Sequence, residues 1–334
     1  MAPEGSILVT GANGTLGSAI VGKIVANADW AARYHGLYTV RDPATAKTLQ
    51  SVLKKAPAAH AHDTVALDLS RLQSVRDAAA DLRARVAAGT LPPIRALVWN
   101  AGFQEPATQT FTDDGYDMTF QANYLGHWLL TVLLLGSMDK EHGRVVIVGS
   151  WTHDTEDARN KVGGPDYYSD PKWATIFTDT ESLAKGTYSS AKDDTTGRAG
   201  MRRYGAGKLC EVMMIRELQE RLDRDPALSN VSVLGVDPGG MMTTLMRHGN
   251  YWFTHPLVAK TLMAGVTFVA GLVDRNGPMR PPTRSAGDVL QAALATAPPP
   301  LSAHPKGLYF NGNAPSTTGA EARDPAKTGA LATY

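Results

Sequence analysis

The sequence Ser6-Ile-Leu-Val-Thr-Gly-Ala-Asn-Gly-Thr-Leu-Gly17 follows the pattern of a short β-strand, a glycine turn and the start of a helix. Beyond the turn, Leu16, Ile20 and Ile24 recur at helical spacing. Backbone N–H groups at such a turn, together with the N-terminus of the helix, bind phosphate closely because no side chains intervene. We therefore predict a dinucleotide site in preference to a plain turn. Its candidate residues are Gly11, Asn13, Gly14, Thr15, Leu16 and Gly17.

Short apolar segments alternate with helical patterns over most of the remaining chain. Predicted strands cover 37–40, 65–70, 94–99, 144–150, 231–236 and 307–310. Predicted helices cover 44–55, 71–85, 111–137, 201–223 and 285–295. Such alternation is typical of βαβ units and a parallel sheet. The predicted fold class is α/β, a Rossmann-like doubly wound parallel sheet in a single domain spanning residues 1–334.

Polar residues or glycine occupy five consecutive predicted strand ends. They are Gly11, Arg41, Asp68, Asn100 and Ser150. Ligands of parallel α/β sheets bind beyond the carboxyl ends of the strands. We therefore expect these five residues to lie along one binding face.

Two segments depart from the alternating pattern. Residues 151–202 are polar and rich in glycine and aspartate, with aromatic residues scattered among them. Long irregular segments in compact domains are usually functional or disordered, and the aromatic residues favour an ordered insertion that forms a lid over the active site. Residues 311–334 are rich in glycine, proline, threonine and alanine, and we expect a mostly irregular tail.

Composition argues against several classes of function. The net charge of +1 provides no field that would attract nucleic acid. Cys210 is the only cysteine, which excludes an intrachain disulfide and a multi-cysteine metal site. The nine histidines show no spacing typical of metal ligands, so we predict no metal. Residues 1–6 lead into only three apolar residues, which is not a signal peptide, and we expect a cytoplasmic protein.

The longest apolar segment, 257–272, contains Lys260 and is too short to cross a bilayer. Its pattern favours a buried or lid helix. Aromatic residues just before it leave open a contact of 251–272 with a membrane surface. The sequence also leaves open whether the chain forms a homo-oligomer.

Tyr204 precedes Lys208 by four residues, and Tyr188 precedes Lys192 by the same spacing. Residues four apart share one face of a helix. A neighbouring ammonium stabilises phenolate and lowers the tyrosine pKa from about 10, so that the phenol can exchange protons near neutral pH. Spacing alone does not show which of the two pairs is catalytic. It also does not exclude that either pair simply lies on a solvent-exposed face of a helix.

Arg41 stands at the predicted end of the second strand, where nicotinamide cofactors are distinguished. An acidic residue there binds the ribose 2′-hydroxyl of NAD, and an arginine accommodates the 2′-phosphate of NADP. Asp42 is adjacent and competes for this role. The position of Arg41 favours NADP.

Taken in order, the motifs resemble those of the short-chain dehydrogenase/reductase family. The motifs are Thr10-Gly-x-x-Gly-x-x-Gly17, Asp68-Leu69, Asn100-Ala-Gly102, Asn123, Ser150, Tyr204-x-x-x-Lys208 and Pro238-Gly239. The resemblance covers about residues 6–245. The segments Gly307-Leu-Tyr-Phe310 and Glu321-Ala-Arg-Asp324 are similar to the retinol dehydrogenase and protochlorophyllide reductase side of the family.

The resemblance implies specific roles around the cofactor. Asp68 would hydrogen-bond the adenine with Leu69 packed nearby, and Asn100-Ala101-Gly102 would lie along the adenine-side ribose. Further residues would wall the nicotinamide, namely Pro238, Gly239, Met241 and Thr243.

The resemblance also implies the catalytic roles. Ser150 would hydrogen-bond the substrate carbonyl, and Tyr204 would deliver the proton as hydride arrives from the nicotinamide. Lys208 would bind the nicotinamide ribose and depress the tyrosine pKa, with Asn123 holding a water relay behind it. The family places this pair on a long helix, and poor helix formers follow Lys192, so the resemblance favours Tyr204 over Tyr188.

We therefore expect an NADP(H)-dependent oxidoreductase acting on a carbonyl or alcohol of a fairly large hydrophobic or aromatic small molecule. Reduction of a carbon–carbon double bond is an alternative, since the protochlorophyllide reductase side of the family uses the same Tyr-Lys pair. A redox-silent NADP-binding regulatory module is another. The gap from Ser150 to Tyr204 is longer than is usual in the family. His127 and His153 are interpreted as surface or helix histidines.

Overall fold

The computed structural model describes residues 2–161, 166–241 and 274–334. The strands of these residues are β1 (Gly5–Val9), β2 (Tyr34–Val40), β3 (His62–Ala66), β4 (Ile94–Trp99), β5 (Arg144–Val148), β6 (Ser232–Asp237), β7 (Leu308–Asn311) and β8 (Ala314–Ser316). The α-helices of the described residues are α1 (Thr15–Ala26), α2 (Ala28–Arg33), α3 (Lys47–Leu53), α4 (Leu72–Ala87), α5 (Met118–Phe120), α6 (Gly126–Leu134), α7 (Thr180–Ala184), α8 (Arg198–Arg224), α9 (Pro282–Leu294) and α10 (Pro325–Thr333).

The strands form one sheet in the order β3-β2-β1-β4-β5-β6-β7-β8. All neighbouring pairs are parallel except β7 and β8. Leu8 of β1 lies between Leu37 of β2 and Leu97 of β4. The strand order reverses between β1 and β4, which is the position where doubly wound sheets bind ligands. The predicted Rossmann-like, single-domain fold is confirmed.

Helices cover both faces of the sheet. On one face, Leu16 and Ile20 of α1 pack with Leu49 of α3 and Val289 of α9. The opposite face is covered by α4, α6 and α8. Strands β1, β4, β5 and β6 are buried along their whole length, which explains why they appear in the sequence as continuous apolar runs.

The insertion 151–202 is ordered in its described parts, 151–161 and 166–202. These parts consist mainly of loops and short 3₁₀ turns, with the short helix α7 and the first residues of α8, which begins at Arg198. Tyr168, Ile176 and Phe177 are buried in the same cluster as α8. The backbone amides of Ile176 and Phe177 donate to the Glu321 carboxylate at 2.8 and 2.9 Å. The aromatic residues therefore anchor the insertion to the domain, and its action as a lid stays a prediction.

The C-terminal tail is a correction to the sequence analysis. Residues 311–334 were expected to be mostly irregular, but they contain β8, a 3₁₀ turn (Glu321–Arg323) and α10. The side chain of Asp324 accepts hydrogen bonds from the amides of Ala326 and Lys327, and Pro325 is the first residue of α10. An N-cap aspartate followed by proline stabilises the start of a helix.

The largest differences between predicted and observed boundaries are at the helical region expected from residue 111 and at the end of the third strand. The helical region expected from residue 111 begins at Met118, because the Asp117 side chain caps the amides of Thr119 and Phe120. The third strand ends at Ala66. Among the described residues no helix is long and apolar enough to cross a membrane. The predicted helix at 257–272 and the surface contact at 251–272 lie outside the described residues.

Candidate active site

The glycine turn after β1 is shaped by close backbone contacts. Gly11 has a φ of +64°, and a Cβ atom on it would lie 2.8 Å from Cα of Ala101. A Cβ on Gly17 would collide with the carbonyl oxygen of Gly11 and lie 2.8 Å from Nδ2 of Asn100. Both positions therefore require glycine, the first for its left-handed conformation and the second for its packing.

Thr10 and Asn100 join the ends of β1 and β4. The Asn100 side-chain amide donates to the carbonyl oxygen of Thr10 at 2.7 Å. The backbone amides of Asn100 and Ala101 donate to Oγ1 of Thr10, each at 2.9 Å. The residues predicted to line the ribose thus also hold the glycine turn in place, and Gly102 follows them in the same loop.

Of the predicted phosphate-binding residues, Gly14 and Thr15 lie at the start of α1, whereas the side chains of Leu16 and Asn13 are used inside the protein. Gly14 is the N-cap of α1 and provides no side-chain cap for the helix, so an anion can approach the helix N-terminus closely. Thr15 follows it at the accessible start of the helix. Leu16 is buried in the core. The Asn13 side chain accepts from the amide of Leu49 at 3.0 Å and so attaches α3 to the turn. The turn fits a dinucleotide phosphate through its backbone.

Arg41 and Asp42 follow β2 and are both exposed. Among the described residues Arg41 forms no ion pair or hydrogen bond. The Asp42 carboxylate is engaged, because Oδ1 accepts from the Ala44 amide and Oδ2 from the Thr45 hydroxyl, each at 2.9 Å. The guanidinium is therefore the group at this strand end that can take a new partner.

Asp68 and Leu69 follow β3. One carboxylate oxygen of Asp68 accepts from the Ser70 amide at 3.0 Å and from the Ser70 hydroxyl at 2.6 Å. This turn closes the loop before α4. Leu69 is buried, and its carbonyl oxygen lies against Gly126 at the start of α6, where a Cβ would be 2.5 Å away.

Tyr204 and Lys208 lie one turn apart in α8, with Nζ of Lys208 5.7 Å from the centroid of the Tyr204 ring. The Tyr204 hydroxyl has no hydrogen-bond partner among the described residues. Burial raises the pKa of Tyr204, the charge of Lys208 lowers it, and the charges of Glu211 and Asp237 raise it further. The phenol therefore carries its proton at neutral pH.

The absence of a side chain at Gly205 lets α8 approach the turn after β5, which begins at Ser150. A Cβ on Gly205 would lie 2.6 Å from the carbonyl oxygen of Thr152 and would collide with the Tyr168 hydroxyl. Nζ of Lys208 donates to the carbonyl oxygen of Val148 at 2.9 Å. The helix that carries Tyr204 is thus in direct contact with β5 and with the turn that follows it.

Ser150 is the N-cap of a 3₁₀ turn (Trp151–His153). Its Oγ accepts from the Thr152 amide at 3.3 Å and lies 3.0 Å from Oγ1 of Thr152. An oxygen that accepts these bonds can still donate its own hydrogen. The Ser150 hydroxyl is therefore oriented by the turn and can donate to a carbonyl oxygen.

The two histidines predicted to be surface or helix residues are both buried, so the surface alternative is wrong, whereas His127 does lie in a helix, α6. Nδ1 of His153 bonds the carbonyl oxygen of Ser150 at 2.5 Å, and its Nε2 accepts from the Gly319 amide at 2.9 Å. His127 is fully buried and bridges the carbonyl oxygen of Asn123 and Oγ1 of Thr10. Burial lowers the pKa of His127 to about 3, so the ring is neutral.

Asn123 is placed behind α8 but uses its side chain on the protein itself. Its Oδ1 accepts from the Phe103 amide at 2.6 Å, and its Nδ2 donates to the Phe103 carbonyl oxygen at 3.0 Å. The amide therefore fixes the loop after β4. The implied water relay stays a prediction.

The end of β6 is held by buried charged residues. Gly239 has a φ of +74°, and its amide donates to Oδ1 of Asp237. Oδ2 of Asp237 pairs with Arg159 of the insertion at 2.9 Å, and the Asp237 carbonyl oxygen accepts from Arg280 at 2.9 Å. Pro238 and Met241 flank this turn. Thr243 lies outside the described residues.

Comparison with known proteins assigns the family. The family model described as "short chain dehydrogenase" matches residues 6–177. A relative from Talaromyces variabilis, the short-chain dehydrogenase iccH, is 46% identical over 348 residues, covering 99% of this chain and 94% of the relative. The chain belongs to the short-chain dehydrogenase family. The resemblance read from the motifs is confirmed, and this family consists of oxidoreductases.

More distant relatives and solved structures agree with this assignment. Protochlorophyllide reductase A from Oryza sativa is 29% identical over 250 residues, covering 72% of this chain and 59% of the relative. NADPH-bound carbonyl reductase from chicken fatty liver has a TM-score of 0.60 at 16% identity, covering 95% of this chain and 96% of that chain. The NADP-bound angucycline C-6 ketoreductase LanV has a TM-score of 0.57 at 17% identity, covering 93% and 95%. The two structures share the fold.

Glu211 of this short-chain dehydrogenase was not among the site residues predicted from the sequence. Its carboxylate oxygens lie 2.9 and 3.1 Å from Nζ of Lys208. The signal was present, because Tyr204, Lys208 and Glu211 follow i, i+4, i+7 spacing and so share one helical face.

Tyr188 does not lie in a helix of this short-chain dehydrogenase. It belongs to a turn before α8 and packs edge-on against Trp173, with ring centroids 5.5 Å apart. Lys192 is exposed in a following turn. A spacing of four residues brings two side chains together only in a helix, so it does not bring Tyr188 and Lys192 together here.

Proposed function

We propose that this short-chain dehydrogenase uses NADP(H) to interconvert a carbonyl and an alcohol on a fairly large hydrophobic or aromatic small molecule. The observation that carries the proposal is the contact of α8 with β5 and the turn after it. This contact brings the helix of Tyr204 and Lys208 against the segment that carries Ser150.

The site residues support proton transfer coupled to hydride transfer. Reduction of a carbonyl develops negative charge on its oxygen, so the site needs hydrogen-bond donors and an acid. Ser150 donates to the carbonyl oxygen and Tyr204 provides the proton, while Lys208 stabilises the resulting phenolate. The nicotinamide, when bound, supplies or accepts the hydride.

NADP is supported by the residues after β2. Arg41 has no partner among the described residues, while Asp42 is engaged with Ala44 and Thr45. A guanidinium binds phosphate strongly, whereas an engaged carboxylate is poorly placed to bind the 2′-hydroxyl of NAD. The NADPH-bound carbonyl reductase and the NADP-bound LanV share the fold, which adds support.

Replacement of Arg41 with alanine is expected to weaken NADPH binding by about 10- to 100-fold, because charge-assisted hydrogen bonds to the 2′-phosphate are lost. NADH binding should change little. Titration of both cofactors by fluorescence measures this difference. Arg71→Ala, which removes another arginine between β3 and α4, is the matched control. Equal losses of NADPH and NADH affinity in Arg41→Ala would contradict the NADP assignment.

Reduction of a carbon–carbon double bond is a second candidate, favoured by the similarity to protochlorophyllide reductases. NADPH consumption over matched panels of ketones, aldehydes and enones, with product analysis, separates the two. We expect carbonyl substrates to yield alcohols. Saturated ketones formed from enones, with no alcohols from simple ketones, would favour the second candidate.

A redox-silent regulatory module predicts a different result from the same panel. NADPH would bind, but no substrate would be turned over, and Tyr204→Phe would behave as the wild type. Such a protein has no need for Ser150, Tyr204 and Lys208 together. Cytoplasmic location and the lid role of the insertion stay predictions of the sequence, and the oligomeric state stays open.

A further inference from the structure

A buried carboxylate lies next to the lysine of the candidate active site. Glu211 is one helical turn beyond Lys208, which is itself one turn beyond Tyr204. The Lys208–Glu211 ion pair has an N–O distance of 2.9 Å, and the exposed fractions of the two side chains are 5% and 1%. Lys208 also donates to Val148, so most of its hydrogen-bonding capacity is used inside the protein.

We propose that Glu211 is a positioning residue that holds the Lys208 ammonium and, through its charge, limits how strongly Lys208 stabilises the phenolate of Tyr204. This inference rests on the proposed function, in which Tyr204 transfers a proton. It concerns a residue that touches neither the substrate nor the cofactor in that function.

One ammonium lies beside two acidic side chains. When Glu211 is ionised, its charge offsets that of Lys208, and less of the lysine's field acts on the phenol. Burial raises the pKa of the Glu211 carboxyl to about 7, against the lowering effect of Lys208. Although burial lowers it, the pKa of Lys208 is raised overall by Glu211 and Tyr204. Lys208 therefore stays charged, and burial holds the pKa of the Glu211 carboxyl above its usual range.

Other titratable groups around this stripe come from several elements. Asp237 at the end of β6 acts on both Tyr204 and Lys208, and is itself paired with Arg159. Additional neighbours are Cys210 on α8, His127 on α6 and Tyr309 on β7. Burial lowers the pKa of His127 and raises the pKa values of Cys210 and Tyr309. These three side chains are therefore neutral from about pH 6 to about pH 9.

The test is the pH profile of Glu211→Gln, which removes the charge and keeps the shape. The pKa of Tyr204 should fall by about one unit, the effect of one nearby charge in a medium of intermediate dielectric constant. In reduction, where Tyr204 must be protonated, the alkaline limb of kcat/KM should move about one pH unit lower. In oxidation, where the phenolate is the base, the acid limb should move the same way.

Glu220→Gln is the matched control, because Glu220 lies on the exposed side of the same helix and pairs with Arg216. Its profile should coincide with that of the wild type. Glu211→Asp keeps the charge but withdraws it from Lys208, so a smaller shift in the same direction is expected. This variant also provides the answer if Glu211→Gln does not fold.

A second measurement keeps the inference separate from the proposed function. Ultraviolet difference titration of each variant against its Tyr204→Phe counterpart, with NADP⁺ bound, measures ionisation of Tyr204 without any turnover. A downward shift in an inactive protein would support the role of Glu211 and contradict the proposed function. An unchanged or raised Tyr204 pKa in both Glu211 variants would overturn the inference.

Discussion

Replacing Tyr204 with phenylalanine is expected to lower kcat by about 10²- to 10⁴-fold, the usual contribution of a positioned general acid. NADPH affinity should change little, since the ring and Lys208 remain. The folded protein should also keep its stability, because the lost hydroxyl has no hydrogen-bond partner among the described residues. Steady-state kinetics, cofactor titration and thermal unfolding measure the three quantities.

The second tyrosine provides the control for this experiment. Tyr188 has a buried hydroxyl without a hydrogen-bond partner among the described residues, and its ring packs on Trp173. Tyr188→Phe should therefore remain active. Comparable losses in both variants would point to a general effect on packing, and full activity of Tyr204→Phe would remove Tyr204 from the proposed chemistry.

The sequence was informative about the strand ends because parallel topology converts order along the chain into position. Gly11, Asn100 and Ser150 each follow a central strand that is buried and apolar, so their place at one edge of the sheet followed from the pattern alone. The glycine turn could also be predicted from the sequence, because it depends on a local contact: Gly17 packs against the carbonyl oxygen of Gly11, only six residues away.

Contacts between residues that are far apart in the sequence could not be predicted from local patterns. His127 lies in a helix, as one of its two interpretations had it, but nothing in the sequence indicated that it bonds Thr10, 117 residues earlier in the chain. Its burial depends on how α6 meets β1, and no local pattern encodes that. The helix α10 was missed for another reason, since the cap formed by Asp324 and Pro325 was present in the sequence but was outweighed by the composition of the tail.

The packing of α8 on the turn after Ser150 leads to the second large expected effect. A Cβ on Gly205 would lie 2.6 Å from the Thr152 carbonyl oxygen and would collide with the Tyr168 hydroxyl. Neither group can yield easily, because Tyr168 is buried and donates to that same carbonyl oxygen at 3.1 Å. Gly205→Ala should therefore push α8 away from the turn.

Two measurable losses follow from this displacement. Overpacking should destabilise the protein by about 1–3 kcal/mol, which chemical denaturation measures. Misplacement of Tyr204 relative to Ser150 by about 1 Å should lower kcat by about 10²-fold, with cofactor affinity reduced less because the glycine turn is untouched.

Gly22 of α1 is the matched control, because it is also a helical glycine, but its nearest neighbour would be Cγ1 of Val52 at 3.9 Å. Gly22→Ala should gain up to about 1 kcal/mol from helix propensity and keep full activity. If Gly205→Ala also gained stability and kept its kcat, the close contact of α8 with the turn would not be needed for turnover. Loss of stability without loss of kcat would limit the role of Gly205 to packing, and would show that the geometry of Tyr204 tolerates movement of its helix.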